Sequence, residues 1–124
     1  MEFRESQSIY LQIADLVCEK IITGKWPQGE KILSVRDLAV ELQVNPNTVM
    51  RTYDFLNNLE IIYNKRGLGF FVPDDGIKKT VRYRKEQFMK NDLPALFKNM
   101  SILNIDLNEI QQQYDRYVKI AKKK

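Results

Sequence analysis

An apolar stripe at helical spacing, a tightly connected pair of shorter helical patterns, and two β-type runs around a glycine follow one another along this chain. Together they predict an α+β fold. Its parts are a winged helix-turn-helix over residues 1–75 and a short C-terminal all-α tail over residues 76–124.

Ile9, Ile13, Leu16, Val17 and Ile21 keep the first stripe until "TGKWPQG" breaks it with Gly24, Pro27 and Gly29, so a first helix is expected from Ser8 to Thr23. Lys31 to Leu33 is short and apolar and could add a small strand. Ser34 with Asp37 resembles a capping box in which Asp replaces the preferred Glu. Leu38, Ala39 and Leu42 supply the apolar face of a second helix, Val35 to Gln43. After "QVN", Asn45 suits an N-cap and Pro46 suits the first helical position, where its missing N–H would have had no partner. On a helical wheel Val49, Tyr53 and Leu56 share one narrow sector flanked by Thr52 and Leu59, and Asn47 and Arg51 point the opposite way. "IIYN" and "GFFV", joined by "KRGL", form a hairpin with Gly67 at or near its turn.

Two helices on a tight turn followed by a hairpin place the first turn of the second helix in the DNA major groove, with the hairpin tip at the neighbouring backbone or minor groove. Asn45, Asn47, Thr48 and Arg51 sit on and around that turn. Their side chains can donate to phosphates or read base edges, Arg on guanine and Asn on adenine. Capping alone would also account for the two asparagines, and a solvated helix face would account for Arg51.

Composition narrows the alternatives. With 44% hydrophobic and 29% charged residues the chain has the make-up of a soluble globular protein, and no apolar run approaches the roughly 18 residues of a membrane helix. The N-terminus lacks the basic-then-apolar pattern of a signal peptide and a single Cys cannot form an internal disulfide, so a cytoplasmic location is expected. The absence of histidine removes the commonest general base and the commonest zinc ligand. No metal, cofactor or enzymatic activity is therefore expected. Cys18, off the centre of the first helix's stripe, is expected to be a partly packed structural thiol. Residues 1–75 hold 8 Lys and Arg against 11 Asp and Glu, net −3, and residues 76–124 hold 12 against 5, net +7. The basic balance thus belongs to the tail, and a DNA reading of the N-terminal part rests on geometry rather than on charge.

From Ser8 to Val72 the sequence resembles the DNA-binding domain of GntR-type bacterial transcription regulators, through "IYLQI", Gly24 and Gly29 with Pro27 between them, "LSVRDLA", "VNPNTV" and "KRGLGFFV". "SVRDLA" followed by "VNPNTV", with only a short helical tail after the hairpin, is most similar to the YtrA-type subfamily. The resemblance implies DNA contacts at Arg36, at Asn45, Asn47, Thr48 and Arg51, and in the wing at Lys65, Arg66 and Gly67. Many members carry Arg where this chain has Pro46, and often another where it has Met50, so arginine readout of the groove is thinner here. Leu33 replaces a frequent proline. The resemblance also implies a tail that dimerises and is too short for the large effector domains of other branches; no residue pattern specifies a small-molecule effector.

In the tail, Ile77, Val81 and Phe88 begin an apolar stripe that Met89, Leu93, Leu96, Met100 and Leu103 continue at alternating spacings of four and three, as in a coiled coil. Pro94 interrupts the backbone ladder, so either a kink or a fresh helix capped by Asp92 is expected. Asp106 and Glu109 form a second capping box, opening a last amphipathic helix through Leu107, Ile110, Tyr114, Tyr117 and Ala121. One helix pair cannot bury two such stripes well, which favours docking against a second copy over folding back. The dimerising residues are then Phe88, Met89, Leu93, Leu96, Met100, Leu103, Ile110, Tyr114 and Tyr117. The basic run "KKTVRYRK", Lys78 to Lys85, could lie along phosphates or simply form the solvated face of its helix.

The expected function is that of a homodimeric repressor reading a palindromic site on double-stranded DNA. The rival reading is a winged-helix protein-interaction module that does not read DNA, favoured by the net −3 of the first part. A carboxylate-dependent enzyme has no paired acids in an apolar or Gly-rich setting to support it.

Overall fold

The computed structural model describes residues 7–122. The chain divides into two compact units, Met1–Lys85 and Glu86–Lys124. In order, the helices and strands are α1 (Ile9–Ile22), α2 (Val35–Leu42), α3 (Pro46–Asn58), β1 (Tyr63–Lys65), β2 (Gly69–Phe71), α4 (Gly76–Gln87), a π-helical turn (Phe88–Asp92), α5 (Leu93–Ile102) and α6 (Leu107–Lys122).

The first unit is a three-helix core with a wing. Ser34 Oγ accepts from the Asp37 N–H at 3.0 Å and starts α2, and Asn45 Oδ1 accepts from the Asn47 N–H at 2.8 Å and starts α3, with Pro46 in its first turn. Between the two helices Gln43 takes the left-handed conformation, φ 56°, and the Val44 N–H returns to the Ala39 carbonyl at 3.0 Å. That reversal is short enough to hold α2 and α3 as one pair. Ile13, Val17 and Ile21 of α1, Leu38 of α2, and Val49, Tyr53 and Leu56 of α3 are all fully buried together. Truncating one of the large aliphatic side chains here to Ala would cost about 2–5 kcal/mol. The Tyr53 hydroxyl donates to the Leu33 carbonyl at 2.7 Å, so the one polar end of this cluster is satisfied.

The hairpin pairs Tyr63 with Phe71 and Lys65 with Gly69. Gly67 at φ +82° turns the chain, and the Leu68 N–H donates to the Lys65 carbonyl at 2.8 Å. Lys31 to Leu33 does not form a full strand; it contributes one isolated bridge, Lys31 to Phe71, flanked by the Ile32 N–H on the Phe70 carbonyl and by a two-way pairing of Gly29 and Glu30 with Val72 just past β2.

The first unit runs further than the boundary after Asp75 that composition suggested, because the start of α4 packs on it. Ile77 and Tyr83 pack against the core, Thr80 is fully buried, and a side chain at Gly76 would stand 2.5 Å from Val72 Cγ1. Ile77 is therefore not part of the tail's apolar stripe. Cys18, expected to be partly packed, is fully buried, and its thiol is pushed up to about 12 by desolvation, with Arg84 acting in the opposite direction. Cys18 lies off the centre of the stripe of α1 in sequence, and Ile77 and Tyr83, far along the chain, pack against the core that holds it.

In the second unit the fresh helix capped by Asp92 is not formed. Asp92 has helical φ −75° and ψ −40° and makes no side-chain cap, and a π-helical turn precedes Leu93. Pro94 has no N–H for the carbonyl four residues back and its ring crowds that carbonyl; one wider turn relieves both conflicts without breaking the helix. Asp106 and Glu109 do form the reciprocal box: the Glu109 N–H donates to Asp106 Oδ1 at 2.9 Å and the Asp106 N–H donates to Glu109 Oε2 at 3.0 Å. No described residue of this unit is buried, although Phe88, Met89, Leu96, Leu103, Tyr114 and Tyr117 are large and apolar or aromatic.

Candidate nucleic-acid interface

The cap that starts α3 also shapes its exposed side. Asn45 uses its side-chain oxygen on the Asn47 N–H, so the capping role holds for Asn45 and leaves its amide NH2 to donate outward. Asn47 is exposed, and its side chain has no hydrogen-bond partner among the described residues. Thr48, half-buried, and Arg51, exposed, follow on the same side. With Ser8, Ile9 and Tyr10 at the start of α1, Asn47, Thr48 and Arg51 line an open groove of about 380 Å³; Asn45 stands outside it.

Arg51 is not simply solvated. Its guanidinium carbon lies 3.9 Å from the centre of the Tyr10 ring, over the ring face. The next residue, Thr52, is fully buried and donates its hydroxyl to the Tyr10 carbonyl at 2.8 Å, tying the first turn of α1 to α3. Tyr10 also meets Phe55 edge to face at 5.9 Å, and Phe55 meets Tyr83 in the same manner at 6.0 Å. Sequence reasoning did not find Tyr10. Its pairing with Arg51 spans two helices, and no local spacing rule reports it.

The remaining predicted contacts fall elsewhere on the first unit. Arg36 is exposed at the second position of α2 and is not in the groove. Lys65, Arg66 and Gly67 come together at the hairpin tip, all exposed. The Lys65 ammonium lies 4.6 Å from the Phe71 ring centre and 5.8 Å from that of Tyr63, which draws it over the wing's aromatic face. Among the described residues Arg66 has no such platform.

Through Lys85 the first unit holds 13 Lys and Arg against 11 Asp and Glu, net +2, and its ion pairs are unevenly placed. Among the described residues, Arg36, Arg51, Lys65 and Arg66 have no carboxylate partner. The pairs are instead Lys79 with Glu60 and Asp75, at 3.4 and 3.5 Å, and Arg84 with Asp15 at 2.8 Å. Two cations of the "KKTVRYRK" run are therefore occupied within the fold, and Lys78, Arg82 and Lys85 remain exposed. Among the described residues there is no cluster of side chains suited to a metal ion.

Comparison with known proteins identifies the family and the fold. The model of the bacterial regulatory proteins of the gntR family matches residues 9–72. The HTH-type transcriptional regulator YhcF of Bacillus subtilis is 33% identical over 109 residues, covering 88% of each chain. The HTH-type transcriptional repressor YtrA of the same organism is 31% identical over 109 residues, 88% of this chain and 83% of its own. The crystal structure of a GntR-family transcriptional regulator from Bacteroides thetaiotaomicron superposes with a TM-score of 0.73 at 41% identity, covering 92% of this chain and 99% of that one.

Proposed function

The chain belongs to the GntR family of bacterial regulatory proteins, as a DNA-binding transcriptional regulator of the YtrA type, and from that premise we propose that it is a homodimeric repressor that occupies a palindromic promoter site. The observation that carries the reading is the groove at the start of α3, where Asn47, Thr48 and Arg51 stand together with side-chain donors that have no hydrogen-bond partner among the described residues. In this role α3 enters the major groove, Arg51 and Asn47 read base edges, and Asn45 and Thr48 donate to the backbone. Arg36 and the wing residues Lys65 and Arg66 neutralise phosphates, and Gly67 lets the wing backbone approach closely. Repression follows from occupancy of promoter DNA; the relative YtrA is itself named a repressor.

The dimer is supported by the second unit, whose apolar side chains, Leu93, Met100 and Ile110 included, are at best half-buried on the single chain. Pairing two copies would remove Phe88, Met89, Leu96, Leu103, Tyr114 and Tyr117 from water at about 25 cal/mol per Å² of apolar surface. Cytoplasmic residence goes with this role.

Selection of duplexes from a random-sequence library, followed by titration of the selected and random duplexes at two salt concentrations, tests the reading. The expected result is a selected palindrome bound far more tightly than random DNA, with both affinities falling as salt rises. Equal affinity for selected and random duplexes would contradict it.

A further inference from the structure

Tyr10 lies on α1, outside the helix pair that reads DNA, yet its ring carries the Arg51 guanidinium at 3.9 Å. We infer that Tyr10 is a positioning residue for sequence discrimination: its ring face presets Arg51 in the groove, so that this one arginine can read a base without being ordered by the DNA. The inference rests on the DNA-reading role proposed for α3.

Three features of the site carry it. First, a free arginine has much rotamer freedom to lose on binding, and a platform that already fixes the guanidinium removes part of that cost. Second, a cation over a ring face engages the π-system and leaves the N–H donors available, and Arg51 has no carboxylate partner among the described residues to take them. Third, the platform is itself rigid. The Thr52 hydroxyl bonds the Tyr10 carbonyl at 2.8 Å, and Phe55 supports the ring edge to face at 5.9 Å. Pro46 and Met50 offer no second arginine on this helix, so discrimination depends on how well the single one is placed.

The test is a double-mutant cycle with a duplex that the parent protein selects from a random library, and with a random duplex as the second probe. Tyr10→Leu keeps apolar bulk and removes the ring face; it should weaken the selected duplex about two- to five-fold and leave the random duplex nearly unchanged. Tyr10→Phe, which keeps the face, should restore discrimination. In an Arg51→Ala background Tyr10→Leu should cost nothing further. Arg51 side-chain protons in the free parent should show a ring-current shift that Tyr10→Leu abolishes and Tyr10→Phe retains.

An equal loss from Tyr10→Leu with and without Arg51 would assign Tyr10 to packing alone and overturn the inference. So would an equal loss on both duplexes from Tyr10→Phe, which would make the hydroxyl a phosphate contact, or Arg51 protons at ordinary positions in the free parent. Failure of the underlying reading is distinct: a parent that enriches no duplex ends the DNA role of α3, and this inference with it, even if the ring-current shift is present.

Discussion

Arg84 Nη1 donates to Asp15 Oδ1 at 2.8 Å across 69 positions of sequence, fastening α4 to α1. Both side chains are partly open to water, 39% and 26% exposed, so solvent screens the pair and its contribution to stability is about 0.5–1 kcal/mol. Asp15→Asn should lower global stability by no more than that while speeding hydrogen exchange of the last turns of α4, where Arg84 sits. A loss above about 3 kcal/mol would mean that the pair behaves as a buried one.

Burial of the Cys18 thiol and the Tyr53 hydroxyl predicts an alkaline limit to stability. Burial raises both groups, Cys18 from 9.0 to about 12 and Tyr53 further, with Glu41 adding to the Tyr53 shift. The unfolded chain therefore loses these protons first, so their contribution is complete below the unfolded values and falls as pH rises toward the folded ones. Urea unfolding should show stability holding up to about pH 8 and declining between about pH 9 and 12. Cys18→Ala should be less stable at pH 7.5 through loss of packing, yet lose about 1–2 kcal/mol less than the parent between pH 8.5 and 10.5. Parallel declines would refute the assignment to Cys18.

At the wing, Gly67 has φ +82° and open space where a Cβ would stand, so substitution there acts through backbone strain alone. Gly67→Val should distort the tip and weaken DNA binding more than it weakens dimerisation, and Gly67→Asn, which tolerates this conformation, should be milder. Lys65→Ala with Arg66→Ala should lower the slope of log affinity against log salt by about two units if both neutralise phosphates. Parent-like binding by Gly67→Val would remove the wing from the interface.

What was legible in the sequence was local. Ser34, Asn45 and the Asp106 and Glu109 pair each act within three residues, so caps and helix starts could be placed from spacing, and the apolar sector of α3 could be separated from Asn47 and Arg51. The contacts that were missed are distant. Tyr10 on Arg51, Asp15 with Arg84, and the enclosure of Cys18 all depend on how helices cross, which periodicity does not encode. Pro94 announced a disturbance of the helix, but a wider turn and a restart both satisfy its missing N–H, and residue spacing does not choose between them.

The central claim is that the tail brings two copies together and that DNA recognition depends on it. A single winged helix with one arginine on its recognition helix, in a unit through Lys85 whose 13 Lys and Arg exceed its 11 Asp and Glu by only two, neutralises few phosphates, and pairing makes the second half-site contact effectively intramolecular. Leu96 and Met100 lie on the tail's stripe and neither belongs to a buried core, so Leu96→Asp with Met100→Asp should leave the first unit folded. In a dimer interface the two charges would cost about several kcal/mol. The decisive measurement is sedimentation of this double variant alongside its affinity for the palindrome that the parent selects. The account predicts a folded monomer whose affinity for the full site falls at least about a hundredfold, toward that for a half-site. A variant that stays dimeric, or a monomer that binds the full site as tightly as the parent, would contradict it.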